Sequence, residues 1–266
     1  MNKMLPRFSF ILLTVIVLAA FCLPMGLLTG CGGSDDPEDS RDDDPVTRVY
    51  AYDFDSGGNG WVAGFADLPA NPGPFYELAS DPNALLPESV RGSGTGGGGG
   101  GSIRSYRVVS HNRSDDVFSF LKRQVGGLVP GARYQVTFSL TFASDAPENS
   151  VGIGGSPGSG VVVKAGTTAI EPDAVPQVGR PDFLRMNLDI GDHSSGGTNA
   201  KVMGTVGIPG EAFVYTLKTL TTPPGREVSV TADGEGRIWL IVGTDSGFEG
   251  RTDLYYTEIA ATLTPL

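Results

Sequence analysis

Cysteine and histidine are nearly missing from this 266-residue chain, which has two of each. Cys22 lies inside an apolar run near the N-terminus, and Cys31 stands between that run and a burst of carboxylates. Beyond residue 31 there is no cysteine, which excludes an internal disulfide or a cysteine-ligated zinc site in that part. It must be held by burial alone, and roughly 220 residues suffice for one domain to do so. His111 and His193 each sit in a polar stretch, "SHNRSDD" and "GDHSSGG", and nothing in the sequence brings them together. The usual general base for neutral pH is therefore scarce.

Helical patterning is missing too. No stretch carries an apolar stripe with caps over ten or more residues, and no fixed-period repeat is present, which excludes propellers and solenoids. What is there has a period of two. In "ARYQVTFSLTFASD", Tyr134, Val136, Phe138, Leu140 and Phe142 alternate with Gln135, Thr137, Ser139 and Thr141, so one strand face is apolar and the other hydroxyl-rich. "VYAYDF", "GWVAGFADL", "FYELAS", "SIRSYRVV", "DVFSFLKRQV", "SGVVVKAG" and "LRMNLDI" follow as further strands, as do "KVMGTVGI", "FVYTLKTL", "EVSVTAD", "RIWLIVGT" and "LYYTEIAATLTP". Gly, Pro, Asn, Asp and Ser supply the turns between them. The expectation for residues 46–266 is an all-β, two-sheet antiparallel sandwich of jelly-roll type with long Gly-rich loops. The run Gly96 to Gly101 is one such loop, with no P-loop lysine to make it a phosphate cradle.

Positive charge is in short supply as well. The chain carries −11, and losing Lys3 and Arg7 with the N-terminal segment would take it to −13. Such a surface repels nucleic acid and anionic head groups, so no nucleic-acid partner is expected. The first thirty residues order as a basic head, the apolar core Phe8 to Phe21, then Pro24 and Gly26, the pattern of a cleaved signal peptide. A retained membrane helix is the other reading, and Pro24 and Gly26 weaken it. Leu28-Thr29-Gly30-Cys31 resembles the lipobox of bacterial lipoproteins. That resemblance implies acyl chains on Cys31 and a palmitate-bearing, membrane-tethered terminus, since two or more chains hold stably. Residues 31–45 include "SDDPEDSRDDDP", seven carboxylates and two prolines with no apolar residue, which read as an extended acidic tether. Acidic runs there also resemble surface-export signals, and Gly32 after the cysteine resembles outer-membrane sorting. Localisation at the cell envelope, on the outer membrane, is the expectation.

Among candidate chemistries, Gly154-Gly155-Ser156-Pro157-Gly158 fits a hydrolase elbow, with Asp182 or Asp189 and then His193 in the hydrolase order. Pro157 defeats it, because the residue after the nucleophile must donate a backbone N–H. Carboxylate pairs for a glycosidase exist at Asp245 and Glu249 and at Asp115 and Asp116, with no alternating strand placement to support them. "DFDSGGNG" gathers Asp53, Asp55 and Asn59 around glycines, a set of hard oxygen donors suited to calcium, against which stands a solvated edge strand.

"YDFDSGGNGWVAG", "GLVPGARYQVTFSL" and "DLYYTEIAATL", in that order, resemble the galactose-binding-like jelly rolls of carbohydrate-binding modules. The resemblance implies a structural calcium joining the first strand region to Glu258 on the last. It leaves residues from about Gly155 to Gly210 without a counterpart. Ligand stacking would use Trp61, Tyr255 or Tyr256, one of the two tyrosines facing outward, while Trp239 reads as core. The functional expectation is a non-catalytic, lipid-anchored protein that binds a glycan or protein partner. An envelope glycan hydrolase or lyase on the same fold and a structural or assembly component are the alternatives. Replacing Cys31 with serine should abolish incorporation of labelled palmitate; undiminished labelling would remove the lipid anchor.

Overall fold

The computed structural model describes residues 44–91, 103–114 and 116–266. The signal, Cys31, nearly all of the tether, the Gly96–Gly101 run and Asp115 lie outside the described residues. Fifteen strands and two short 3-10 turns occur among the described residues, with no α-helix. The strands begin with β1 (Arg48–Asp53), β2 (Val62–Ala66), β3 (Leu68–Pro69), β4 (Ala79–Leu85) and β5 (Arg104–His111). Next come β6 (Val117–Val125), β7 (Arg133–Ser144), β8 (Val161–Thr168), β9 (Ala174–Gln177) and β10 (Arg180–Met186). The last five are β11 (Ala200–Thr205), β12 (Thr216–Thr221), β13 (Val228–Thr231), β14 (Ile238–Ser246) and β15 (Arg251–Pro265).

Two antiparallel sheets form a β-sandwich. The first has seven strands, with β12, β7, β15, β5 and β4 in that order, β1 pairing with β15 beyond β5, and β13 pairing with β7. The second runs β11, β8, β14, β6, β2. Alternation on β7 works as expected: Tyr134, Val136, Phe138, Leu140 and Phe142 are buried and the residues between them half-buried. They pack on Leu121, Val163, Ile238, Leu240 and Val242 of the second sheet, the layered arrangement of inward side chains that makes a sandwich core.

The second sheet departs from simple alternation. β8 is buried at every position, and β14 at all but Trp239. Its outer face carries Phe118, Phe120, Ile241 and Ala200, and these are covered by Leu188 and Ile190, with Ala174 and Met186 packed alongside. The cover comes from a third, small sheet in the order β3, β10, β9 and from the loop that follows it. A sheet buried on both faces reads as continuous apolar sequence, which is how "VVVKAG" and "IWLIVG" look. Backbone comes close here. A Cβ on Gly166 of β8 would meet the carbonyl oxygen of Asn199 at 1.9 Å, and one on Gly64 would strike the Phe120 ring at 2.3 Å.

One strand reading needs correction. "FYELAS" is largely a 3-10 turn at Pro74–Tyr76, with Glu77 in the left-handed region at φ 46° and the strand starting only at Ala79. Proline at the start of the turn fixes a helical φ and removes a ladder donor.

The outer face of the first sheet is covered only in part, where Leu86 and Val90 close over Ala143 beside Tyr215, Leu217 and Tyr255. Thr137, Ser139 and Thr141 stand half-buried beside exposed Thr219 and Thr221. Gly166→Ala should therefore cost about 1–3 kcal/mol by overpacking, read as a lower denaturant midpoint. Gly234→Ala, with open space around it and an unstrained φ, should stay within about 0.5 kcal/mol of wild type.

Candidate functional site

The residues marked for stacking do not form a site. Trp61 is 3% exposed and packs edge-on against Tyr52 inside the main core, and Tyr256 is 2% exposed beside Phe142. Tyr255 does face outward, but Arg107 lies over its ring at 5.3 Å and Tyr215 meets it edge-on at 5.2 Å. Arg107 is in turn held by a two-pronged bond to Asp253 at 2.8 and 2.6 Å. Trp239, expected in the core, is only half-buried on the opposite face of β14, with the Lys122 ammonium 5.8 Å from its ring centre.

The calcium candidates come near one another without converging. Asp53 and Glu258 are direct partners across β1 and β15, both exposed. Asn59 donates its amide to the Asp53 carbonyl, and Asp55 accepts from the backbone N–H of Ile103 at 3.3 Å. Asp53, Asp55 and Glu258 are not among the acidic and histidine residues whose ligand atoms gather within 4.8 Å of one another in the described part. The hydrolase triad fails as well. The Ser156 hydroxyl donates to the Glu148 carbonyl and accepts from the N–H groups of Gly158 and Ser159, the hydrogen bonds of a turn. Asp189 is occupied by the Thr198 hydroxyl and N–H at 2.7 and 2.8 Å. His111 pairs with Glu77 at 3.0 Å.

What the fold does assemble is a buried charged group under the cover. Lys164 is fully buried on β8 and donates to Asp245 Oδ2 on β14 at 2.6 Å. The register sets Lys164 opposite Gly243, so Asp245 is its diagonal neighbour on the same face. Arg185 of β10 reaches Asp67 at 2.9 Å and Asp116 at 3.5 Å, and His193 Nδ1 lies 3.7 Å from Asp245 Oδ1. A cleft of about 160 Å³ opens there, lined by Asp67, Asp116, Arg185, Asp192 and Asp245 among others. Burial pushes the Asp245 carboxyl up to about 8, with the Asp116 carboxylate adding to the rise and Lys164 opposing it. Asp67 is raised by burial against the opposing hydrogen bond from Arg185.

Sequence reasoning took Asp116 and Asp245 in separate pairs and missed Lys164, Asp67 and Arg185. The signal was a lone lysine inside an otherwise apolar strand, because a buried ammonium needs a carboxylate. Glu249, the other half of the Asp245 pair, is exposed on the turn before β15.

A second cavity lies where the loops gather. Pro147, Asn149, Ser150 and Val151 of the β7–β8 loop face Gly210, Glu211 and Phe213 of the β11–β12 loop across about 370 Å³. The two loops are joined at their base by a bridge between Pro147 and Ile208, with N–H to carbonyl bonds of 2.9 Å from Glu148 to Ile208 and from Ile208 to Ala146. Their tips are apolar and open: Val151 is 95% exposed, Ile153 73% and Phe213 61%.

No protein-family model matches the chain. No curated protein is similar to it in sequence. Among solved structures it is similar to the K1 cleaved adhesin domain of Lys-gingipain from Porphyromonas gingivalis W83, at 9% identity and a TM-score of 0.35, over 80% of this chain and 97% of that one. A family 61 carbohydrate-binding module bound to β-1,4-galactotriose gives 13% identity and a TM-score of 0.33, over 79% and 92% of the two chains. The family 11 carbohydrate-binding module of a cellulosomal cellulase of Clostridium thermocellum gives 10% and 0.34, over 82% and 95%. Likeness at this level assigns no ligand.

The raised Asp245 carboxyl has a consequence for stability. A group whose folded value lies above its unfolded value near 3.8 stabilises the fold in the acid form, and that contribution fades as pH rises to about 8. The charged and titratable groups facing it are Lys164, Asp116 and His193. Asp245→Asn, which mimics the acid form, should flatten the fall in melting temperature between about pH 4 and pH 8; an unchanged slope would place the titration elsewhere.

Proposed function

We propose that this chain is a lipid-anchored, non-catalytic binding protein of the bacterial cell envelope, holding a glycan in the loop cleft. The observation that carries this reading is the exposed Phe213 across from Val151, bordered by Asn149, Ser150 and Glu211 in a cavity large enough for a sugar unit. An aromatic ring offers its face to the apolar side of a sugar ring, while the amide, hydroxyl and carboxylate suit hydroxyl groups. The path of the chain agrees. Arg48 at the start of β1 pairs with Leu263 near the end of β15, whereas the cleft loops leave β7 and enter β12 where Ser144 and Thr216 pair, beside the start of β15. The cleft thus lies at the end of the sandwich opposite the start of β1.

The buried carboxylates argue against a glycosidase at their position. Asp245 is only 2% exposed and gives Oδ2 to Lys164, so it does not flank an open cleft as a glycosidase carboxyl must. A protein partner is the second reading, favoured by the apolar exposure of Val151 and Ile153. A glycan array probed with the full chain in detergent distinguishes the two. Retention on defined sugars, weakened about tenfold by Phe213→Ala, is the expected result. No sugar retained at any concentration would remove the glycan reading.

A further inference from the structure

The buried charged group contains an unfinished coordination pattern. Asp116 turns Oδ2 to Arg185 and Asp245 gives Oδ2 to Lys164, and in each the other oxygen, Oδ1, is buried with no hydrogen-bond partner among the described residues. Asp245 is only 2% exposed. Buried carboxylate oxygens left without a donor are uncommon and costly, and two side by side ask for a shared occupant. The imidazole of His193 completes the group, since one ligand atom from each of Asp116, His193 and Asp245 lies within 4.8 Å of the others.

We propose that Asp116, His193 and Asp245 bind one divalent cation of the zinc or manganese class. The 3.7 Å between His193 Nδ1 and Asp245 Oδ1 is too long for a hydrogen bond. It is close to the spacing of two ligands on one ion, since bonds of about 2.1 Å in a tetrahedron set neighbouring donors roughly 3.4 Å apart. The donor types select the metal. Imidazole with carboxylate suits zinc and manganese, whereas calcium prefers an all-oxygen shell.

Charge favours a cation as well. Metal binding displaces any carboxyl proton, and Asp67, Asp116 and Asp245 in their ionised forms then outnumber the two permanent cations, Lys164 and Arg185, by one. His193 is partly exposed and the cleft beside Gly191 and Asp192 is open, giving an ion a way in and water a place in its shell.

His193 belongs to the loop that covers the second sheet, Asp245 to β14 in that sheet, and Asp116 immediately precedes β6. An ion held by all three fastens the cover to the sheet in a domain that has no cysteine beyond residue 31. The site is separate from the loop cleft and does not rest on glycan binding.

Calorimetric titration of the chelator-stripped full chain with zinc, manganese and calcium chlorides tests this. One zinc per chain and a raised melting temperature are expected, with manganese weaker and calcium without effect. His193→Gln and Asp116→Asn should each weaken zinc binding at least tenfold, while His111→Gln leaves it unchanged. The partly exposed His193 makes its variant safe for folding, checked by an unchanged circular dichroism spectrum. The proposal is overturned by absence of zinc uptake, which would leave a proton shared between the carboxylates as the occupant. It is equally overturned by uptake that neither variant weakens, or that His111→Gln weakens as much.

Discussion

An apolar surface on the outside of the five-stranded sheet is the constraint on which the rest of this fold depends. Phe118 and Phe120 stack with ring centres 5.7 Å apart beside Ile241, all pointing away from the main core. Left in water, three such side chains would forfeit about 1.5–3 kcal/mol each. The segment between β8 and β11 covers them; its close approach at Asn199 accounts for glycine at 166, while Gly64 makes room for the ring of Phe120, its partner on β6. The same cover seals Lys164 and Asp245 beneath it. A lysine and an aspartate that would be ordinary surface residues on an open sheet become a dry pair with neighbours of fixed identity.

The alternation of β7 made its two faces legible from sequence because one side of that strand meets water. The doubly buried strands announced themselves by the absence of alternation, yet what buried their second face did not. β9 carries a proline and no buried residue, and nothing local marks it as half of a covering hairpin. Trp239 shows how a pattern can be read correctly and placed wrongly. Its neighbours Ile238 and Leu240 both face the main core, so the pleat itself turns the tryptophan the other way. For Asp53 and Glu258 the sequence led to the right strand partners, Asp53 on the edge strand β1 and Glu258 beside it on β15, both exposed.

Asp116 and Asp245 are separated by well over a hundred positions, and only the pairing of β6 with β14, which sets Asp245 against Phe118, brings them together. Information of that kind is carried by register over a long range rather than by any motif. The two open regions of the molecule are also of different kinds. Away from the patch under Leu86 and Val90, the outer face of the seven-stranded sheet carries threonine and serine hydroxyls, Thr141 and Thr219 bonded to each other at 3.0 Å, whereas the loop end exposes phenylalanine, valine and isoleucine.

The position of β1 has a mechanical side. It hangs on β15 alone, with Arg48 and Leu263 as the outermost pair, so a pull applied ahead of Arg48 would open the ladder one rung at a time, like a zip drawn from its end. Resistance then falls to the side chains that reach across the layers. The Tyr50 hydroxyl is latched to the Gly126 carbonyl at 2.8 Å, and the Arg123 guanidinium lies 4.1 Å from the centre of the Tyr52 ring. Two tyrosines would bear the strain first, and the tension at which they let go would set how hard the domain can be tugged before it frays.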